Sequence, residues 1–129
     1  MKRIIFSLLL VVVVLVSACQ SKELLFVGEG ERWSAKVTVG QTDGDETYTI
    51  QLSYKGDDVK TVETMSYAIK SSHDGVLEYE ANEVLLNERG VYKGQMLSSN
   101  SPSTTSADEL LLEVEWNGES EIFILRNGI

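Results

Sequence analysis

One cysteine, one histidine and 20 carboxylates supply nearly all the reactive groups of this 129-residue chain. His73 is therefore the one imidazole available to a Ser-His-Asp or Cys-His arrangement. It sits beside Asp74-Gly75 in turn chemistry, where a solvated loop residue is the expectation. Zinc needs several nitrogen or sulfur ligands, which the chain lacks. Glu78 and Glu80 lie two apart on one expected strand face, a spacing that serves general acid and base work. A chain rich in acids produces such pairs by composition, and carboxylate-based hydrolysis also needs a cleft. No residue is assigned as catalytic, and a carboxylate-based hydrolase stands only as an alternative. Calcium takes hard oxygen ligands, and Asp43, Asp45 and Glu46 cluster in one loop, with Asp57 and Asp58 in another. They lack the EF-hand register, and Asp-Gly pairs suit turns, so a turn is expected first and a calcium-binding β module of the cell envelope second. No glycine-rich phosphate loop opens a helix. Trp33 and Trp116 fall in phase with apolar strand faces, which places them in a core rather than on a binding platform.

Cys19 closes a distinctive leader. Met1-Lys2-Arg3 is basic, and Ile4 to Val16 is apolar except for Ser7, the n- and h-regions of a signal peptide. The run is too short for a permanent span, which needs about 20 apolar residues. It ends Val16-Ser17-Ala18-Cys19, which resembles the lipobox of bacterial lipoproteins. That resemblance implies that a diacylglyceryl group joins the Cys19 thiol, that cleavage falls just before it, and that residue 19 becomes the N-terminus. Burial of about 0.8 kcal/mol per CH₂ makes two acyl chains a stable anchor where one is marginal. The expected organisation is a signal peptide over 1–18, a lipidated connector over 19–31 and a domain over 32–129. No cofactor is expected besides the covalent lipid. The expected location is the extracytoplasmic face of the cell membrane. The expected partners are the membrane, through the lipid, and an unidentified envelope protein or ligand.

The charge narrows the classes of partner. The whole chain carries −9, and loss of Lys2 and Arg3, with no acid removed alongside, takes the mature part to −11. Such a field repels phosphates and anionic headgroups, which argues against nucleic acid and favours cationic partners.

The elements needed to position these groups read as strands. Trp33, Ala35, Val37 and Val39 alternate with Ser34, Lys36 and Thr38, and Tyr48, Ile50, Leu52 and Tyr54 alternate with Thr47, Thr49, Gln51 and Ser53, the period of half-buried antiparallel strands. Gly40 to Asp45 and Lys55 to Asp58 are turn segments. Val59 to Lys70 reads as a third strand with a bend at Val62, and Val76 to Leu86 as a fourth. Asn87-Glu88-Arg89-Gly90 suits a type I turn closed by a left-handed glycine and leading into a hairpin strand over Val91 to Leu97. Ser98 to Ser106 is a polar low-complexity stretch expected to be mobile. Asn117-Gly118 is a two-residue hairpin turn between Glu109–Trp116 and Glu119–Arg126. Leu110, Leu112, Val114 and Trp116 are expected to share a face with Ile122, Ile124 and Ser120.

The fold class is therefore all-β: a single antiparallel β-sandwich of about seven strands, of immunoglobulin-like size, with an open barrel as the alternative. No cysteine pair supports a true immunoglobulin domain. Through Gly28-Glu29-Gly30-Glu31-Arg32-Trp33 and the closing Trp116-Asn117-Gly118 hairpin, the mature chain resembles small β-rich lipoproteins of Gram-positive bacteria that have no assigned activity. The resemblance implies architecture and address, and a non-enzymatic binding or structural role.

Overall fold

The computed structural model describes residues 21–72, 77–99 and 103–128. Cys19, the lipobox residues Val16, Ser17 and Ala18, and His73 lie outside the described residues.

Eight strands form one antiparallel sheet: β1 (Ser21–Glu29), β2 (Trp33–Thr42), β3 (Asp45–Tyr54), β4 (Met65–Ser71), β5 (Glu78–Val84), β6 (Val91–Ser99), β7 (Leu110–Trp116) and β8 (Glu119–Asn127). Their order is β5-β4-β7-β8-β1-β2-β3-β6. The sheet curls so that the end strands β5 and β6 approach without pairing, giving a nearly closed, barrel-like architecture. Among the described residues there is no α-helix, and one 3₁₀ turn spans Val59–Thr61. The fold is thus all-β as expected, with a curled single sheet in place of a seven-stranded sandwich.

The eighth strand is β1. It occupies most of the segment expected as a connector and pairs with β2 from Ser21↔Thr42 to Glu29↔Ser34. Its inward residues Leu24 and Phe26 are buried. The charged and glycine positions around them mask this alternation in the sequence.

Two four-stranded halves share the core. One half runs β6-β3-β2-β1 and the other β8-β7-β4-β5, joined by a short β1–β8 ladder at Phe26↔Asn127 and Val27↔Arg126. Gly28 allows that join, because a Cβ there would lie 2.3 Å from the Ile124 carbonyl oxygen. The inward side chains fill the interior, as an eight-stranded barrel permits. Trp33 packs edge-on against Trp116 at 5.6 Å between ring centroids, and Tyr54 lies 5.1 Å from Trp33. Both tryptophans are buried core residues, as their phase predicts.

The turns follow their residue types. Asp43 and Gly44, at φ 51° and 83°, join β2 to β3, and Asn117 and Gly118, at φ 48° and 77°, join β7 to β8. Asn87 Oδ1 accepts hydrogen bonds from the amides of Arg89 and Val91, and Gly90, at φ 79°, donates its amide to the Asn87 carbonyl. The strand that follows does not form the expected hairpin: β6 pairs with β3, from Ser53↔Val91 to Glu46↔Ser99. The expected strand from Val59 begins at Met65, after the 3₁₀ turn, with Val62 buried beside it.

Candidate functional site

The hairpin turn between β7 and β8 fixes which side of the molecule each residue faces. With Asn117 and Gly118 as the two turn residues, Trp116 pairs with Glu119, and the ladder continues Val114↔Glu121, Leu112↔Phe123 and Leu110↔Leu125. Phe123 and Leu125 are therefore the buried members of β8, while Ile122 and Ile124 point outward at 59% and 39% exposure. The expected inward face of β8 is off by one residue. A slip of one position exchanges the two faces of a strand, and Ile122-Phe123-Ile124-Leu125 is apolar on both, so alternation alone does not choose between them.

This register places an apolar strip on the outside of the barrel. Following the ladders across the sheet, one outward row reads Glu78, Lys70, Leu111, Ile124, and the next reads Glu80, Ala68, Glu113, Ile122. A further row holds Ser66, Glu115 and Ser120. Glu78, Glu80, Lys70, Ala68, Glu113, Leu111 and Ile122 are among the residues that line a shallow cleft of about 400 Å³. The structure thus brings the sequence-selected pair Glu78 and Glu80 onto one face and adds Glu113 across β4. Glu78 and Glu80 are exposed and Glu113 is half-buried. None of these three, nor Glu115, makes an ion pair or side-chain hydrogen bond among the described residues.

The candidate metal residues do not converge. Asp43 and Asp45 are exposed at the β2–β3 turn, whereas Glu46 is fully buried on the opposite face of β3. The ten residues of β3 separate this turn from Asp57 and Asp58, about 30 Å at strand rise. Glu46 is engaged by protein donors. Its Oε1 accepts from Gln41 Nε2 at 3.1 Å and from the Thr104 amide at 3.2 Å, and its Oε2 accepts from the Ser103 amide at 3.1 Å. Gln41 Nε2 also donates to the Thr104 carbonyl, and the Tyr48 hydroxyl and Thr104 Oγ1 share a hydrogen bond of 2.8 Å. Burial pushes the Glu46 carboxyl up, and the donors from Thr104, Ser103 and Gln41 outweigh it, holding the group below its ordinary range. Burial raises Tyr48. The part of the serine-threonine stretch over Ser103 to Thr105, expected to be mobile, is docked on Glu46 with Thr104 buried.

A second carboxylate closes the other end of the barrel. Glu121 Oε2 accepts the Arg32 amide at 3.0 Å and its Oε1 accepts the Trp33 amide at 3.2 Å, fastening the β1–β2 corner that contains Gly28 to Trp33. Lys55 Nζ donates to the Gly30 carbonyl at 2.9 Å and pairs with Glu29 at 3.3 Å. At the β5/β6 opening, Tyr67 contacts Tyr79 and Tyr92 at 6.1 and 5.9 Å between centroids. Among the described residues the buried Tyr67 hydroxyl has no hydrogen-bond partner, and its burial pushes its titration well above the usual tyrosine range.

No family model, curated protein or solved structure matches the chain. Among the described residues, no helix is long and apolar enough to cross a membrane and no group of three or more metal-ligating side chains gathers.

The apolar strip is the functional candidate that sequence reasoning missed. Its signal was present in two places: Leu110-Leu111-Leu112 and Ile122 to Leu125 are continuous apolar runs, a pattern of strands covered on both faces. Counting outward from the Asn-Gly turn assigns the extra residues to the outside.

Proposed function

We propose that this chain is a lipid-anchored binding protein of the extracytoplasmic face of the cell membrane, with no catalytic role, and that it binds through the outer face of β5, β4, β7 and β8. The carrying observation is the outward strip of Leu111, Ile122 and Ile124 beside Glu113, Glu80 and Glu78. Exposed contiguous apolar surface with a polar rim marks interaction sites. The filled interior supports an external site, since the core side chains occupy the space in which larger barrels hold a ligand. The basic leader, the apolar run and the Val16-Ser17-Ala18-Cys19 sequence support the anchor. Tethering by two acyl chains leaves a barrel free to turn its acidic face away from anionic headgroups.

Two measurements test this reading. Intact mass and membrane partitioning, compared with a Cys19→Ala chain, should give a lipidated protein starting at residue 19 that leaves the membrane in the variant. An uncleaved, unmodified chain would remove the anchor. In living cells, a photoreactive benzoylphenylalanine replacing Ile122 should form discrete adducts, and one replacing Thr49 on the opposite outer face should not. Absent adducts, or equal ones at both positions, would remove the binding face.

A further inference from the structure

We infer that the occupant of this outer face is a cationic segment of a partner protein with apolar side chains interleaved between its basic ones; this rests on the binding face proposed above and names its chemistry. Ala68 on β4 lies at the centre of the acidic row. In its row the register places Glu80 on one side and Glu113 on the other, with Ile122 beyond. Neighbouring strands stand about 4.8 Å apart, so the two glutamates rise from backbones roughly 10 Å apart across β4. The alanine between them offers only a methyl group. The result is a slot with two carboxylate walls and an apolar floor, suited to the stem and head of a lysine or arginine, whose methylenes bury while the charge meets the acids.

The pattern extends along the strands. Glu78 and Glu80 on β5, and Glu113 and Glu115 on β7, are each two residues apart, about 7 Å at strand rise. Leu111 lies beside Lys70, and Ile124 follows in the same row. These four carboxylates share the face with Lys70 and make no ion pair among the described residues, while Arg126, at the edge of the same face on β8, is already paired with Glu109 at 3.5 Å. Lys70 stands across from Glu78, whereas the cross-strand neighbours of Glu80, Glu113 and Glu115 are Ala68, Ile122, Ser66 and Ser120, none of them a cation. A single small cation meets one part of this array, whereas a segment with several positive charges and apolar groups between them meets both the carboxylates and the strip.

Other occupants fit less well. A second copy stacked face to face would set these acids against themselves. A copy offering its β2, β3 and β6 side would bring Lys36 and Lys93, but around them Thr38, Thr49 and Gln51 in place of an apolar surface. An anionic bilayer would be repelled by the same four glutamates. Charge complementarity of this kind speeds association and weakens with salt.

The test uses the full-length chain in zwitterionic nanodiscs, with empty discs subtracted. The probes are a short alternating lysine-leucine peptide and the same peptide with glutamate in place of lysine. The lysine peptide should bind and the glutamate peptide should not. Glu80→Gln together with Glu113→Gln should weaken binding about tenfold or more, Ile122→Ser should weaken it comparably, and Glu80→Asp with Glu113→Asp should restore most of the affinity lost in the glutamine pair. All variants should keep the parent melting temperature. Equal binding of both peptides, no binding of either, self-association abolished by Ile122→Ser, or capture by phosphatidylglycerol vesicles abolished by Ile122→Ser would each overturn the inference. Adducts from position 122 in cells that persist unchanged in the glutamine pair would keep the binding face and discard the cationic partner, whereas loss of all adducts from unmodified acids would discard both.

Discussion

On β2 and β3 the outward residues include Ser34, Lys36, Thr38, Thr47, Thr49 and Gln51, while on β7 and β8 Leu111, Ile122 and Ile124 stand outward among Glu113, Glu115, Ser120 and Arg126. The inward residues of the two pairs are alike: Val37, Ile50 and Leu52 on one side, Leu112, Val114 and Leu125 on the other, all buried. The same barrel wall is built twice with one kind of inner face and two kinds of outer face. Threonine on a solvated strand satisfies β-preference and solubility together, and serine, lysine and glutamine add solubility. Isoleucine satisfies β-preference but, like leucine, not solubility, so the outer face of β7 and β8 is not one that a solvated strand calls for.

The inner equivalence carries the largest expected effect. Ile50→Ala in one half and Leu112→Ala in the other should each cost about 2–5 kcal/mol, measured by chemical denaturation. Each should melt the molecule in a single transition, since both side chains are fully buried in one core. Two separated transitions would show that the halves unfold independently and would break the comparison at its base. The join between them gives a somewhat smaller effect. Gly28→Ala drives a methyl group toward the Ile124 carbonyl, and overpacking of this kind costs about 1–3 kcal/mol. A variant as stable as the parent would mean that the two-pair β1–β8 ladder contributes little to closure.

The halves also differ in how their ends are sealed. Glu46 seals one end by holding Ser103 and Thr104, and Glu121 seals the other by holding Arg32 and Trp33. Because the folded Glu46 carboxyl titrates below its ordinary value of 4.5, its contribution is fully present above that unfolded value and is lost as pH falls through the depressed folded one. Glu46→Gln turns an acceptor into a donor that faces backbone amides, and should cost about 1–3 kcal/mol at neutral pH. The loss should shrink on acidification, because the parent then gives up the same advantage. A variant whose deficit stays constant from neutral pH down through the acid range would show that the carboxylate charge is not what docks the loop.

How far the sequence revealed this molecule depended on whether one strand face was polar. β2 and β3 were legible because Ser34, Lys36, Thr38 and Thr49 break the apolar run at every second position. The turn at Asn117-Gly118 was legible because both residues tolerate positive φ. β1 was not, since its inward Leu24 and Phe26 sit among residues with turn and linker character. The pairing of β6 with β3 was not, because a hairpin signal at Asn87 to Gly90 sets the turn and says nothing of the partner across the sheet. The candidate site was half legible. Glu78 and Glu80 were found by spacing, but Glu113 joins them only through the ladder across β4, and Ile122 and Ile124 were assigned inward because two-sided apolarity hides the phase.

The smallest expected effect separates folding from binding on that face. Ile122→Thr and Ile124→Thr keep β-branching while removing apolar surface that the barrel covers only in part. Each should change stability by no more than about 0.5 kcal/mol in either direction, and the double variant should remain near the parent in thermal unfolding. Thr49→Ile on the opposite wall should be equally mild, since it adds an exposed apolar group to a strand that already tolerates one of similar shape. The two walls would then be interchangeable as structure, leaving interaction to explain why only one carries the apolar strip. A loss of 2 kcal/mol or more from Ile122→Thr, well above the roughly 0.5 kcal/mol of surface substitutions, would instead make the strip part of the folded scaffold and remove the reason for reading it as a docking face.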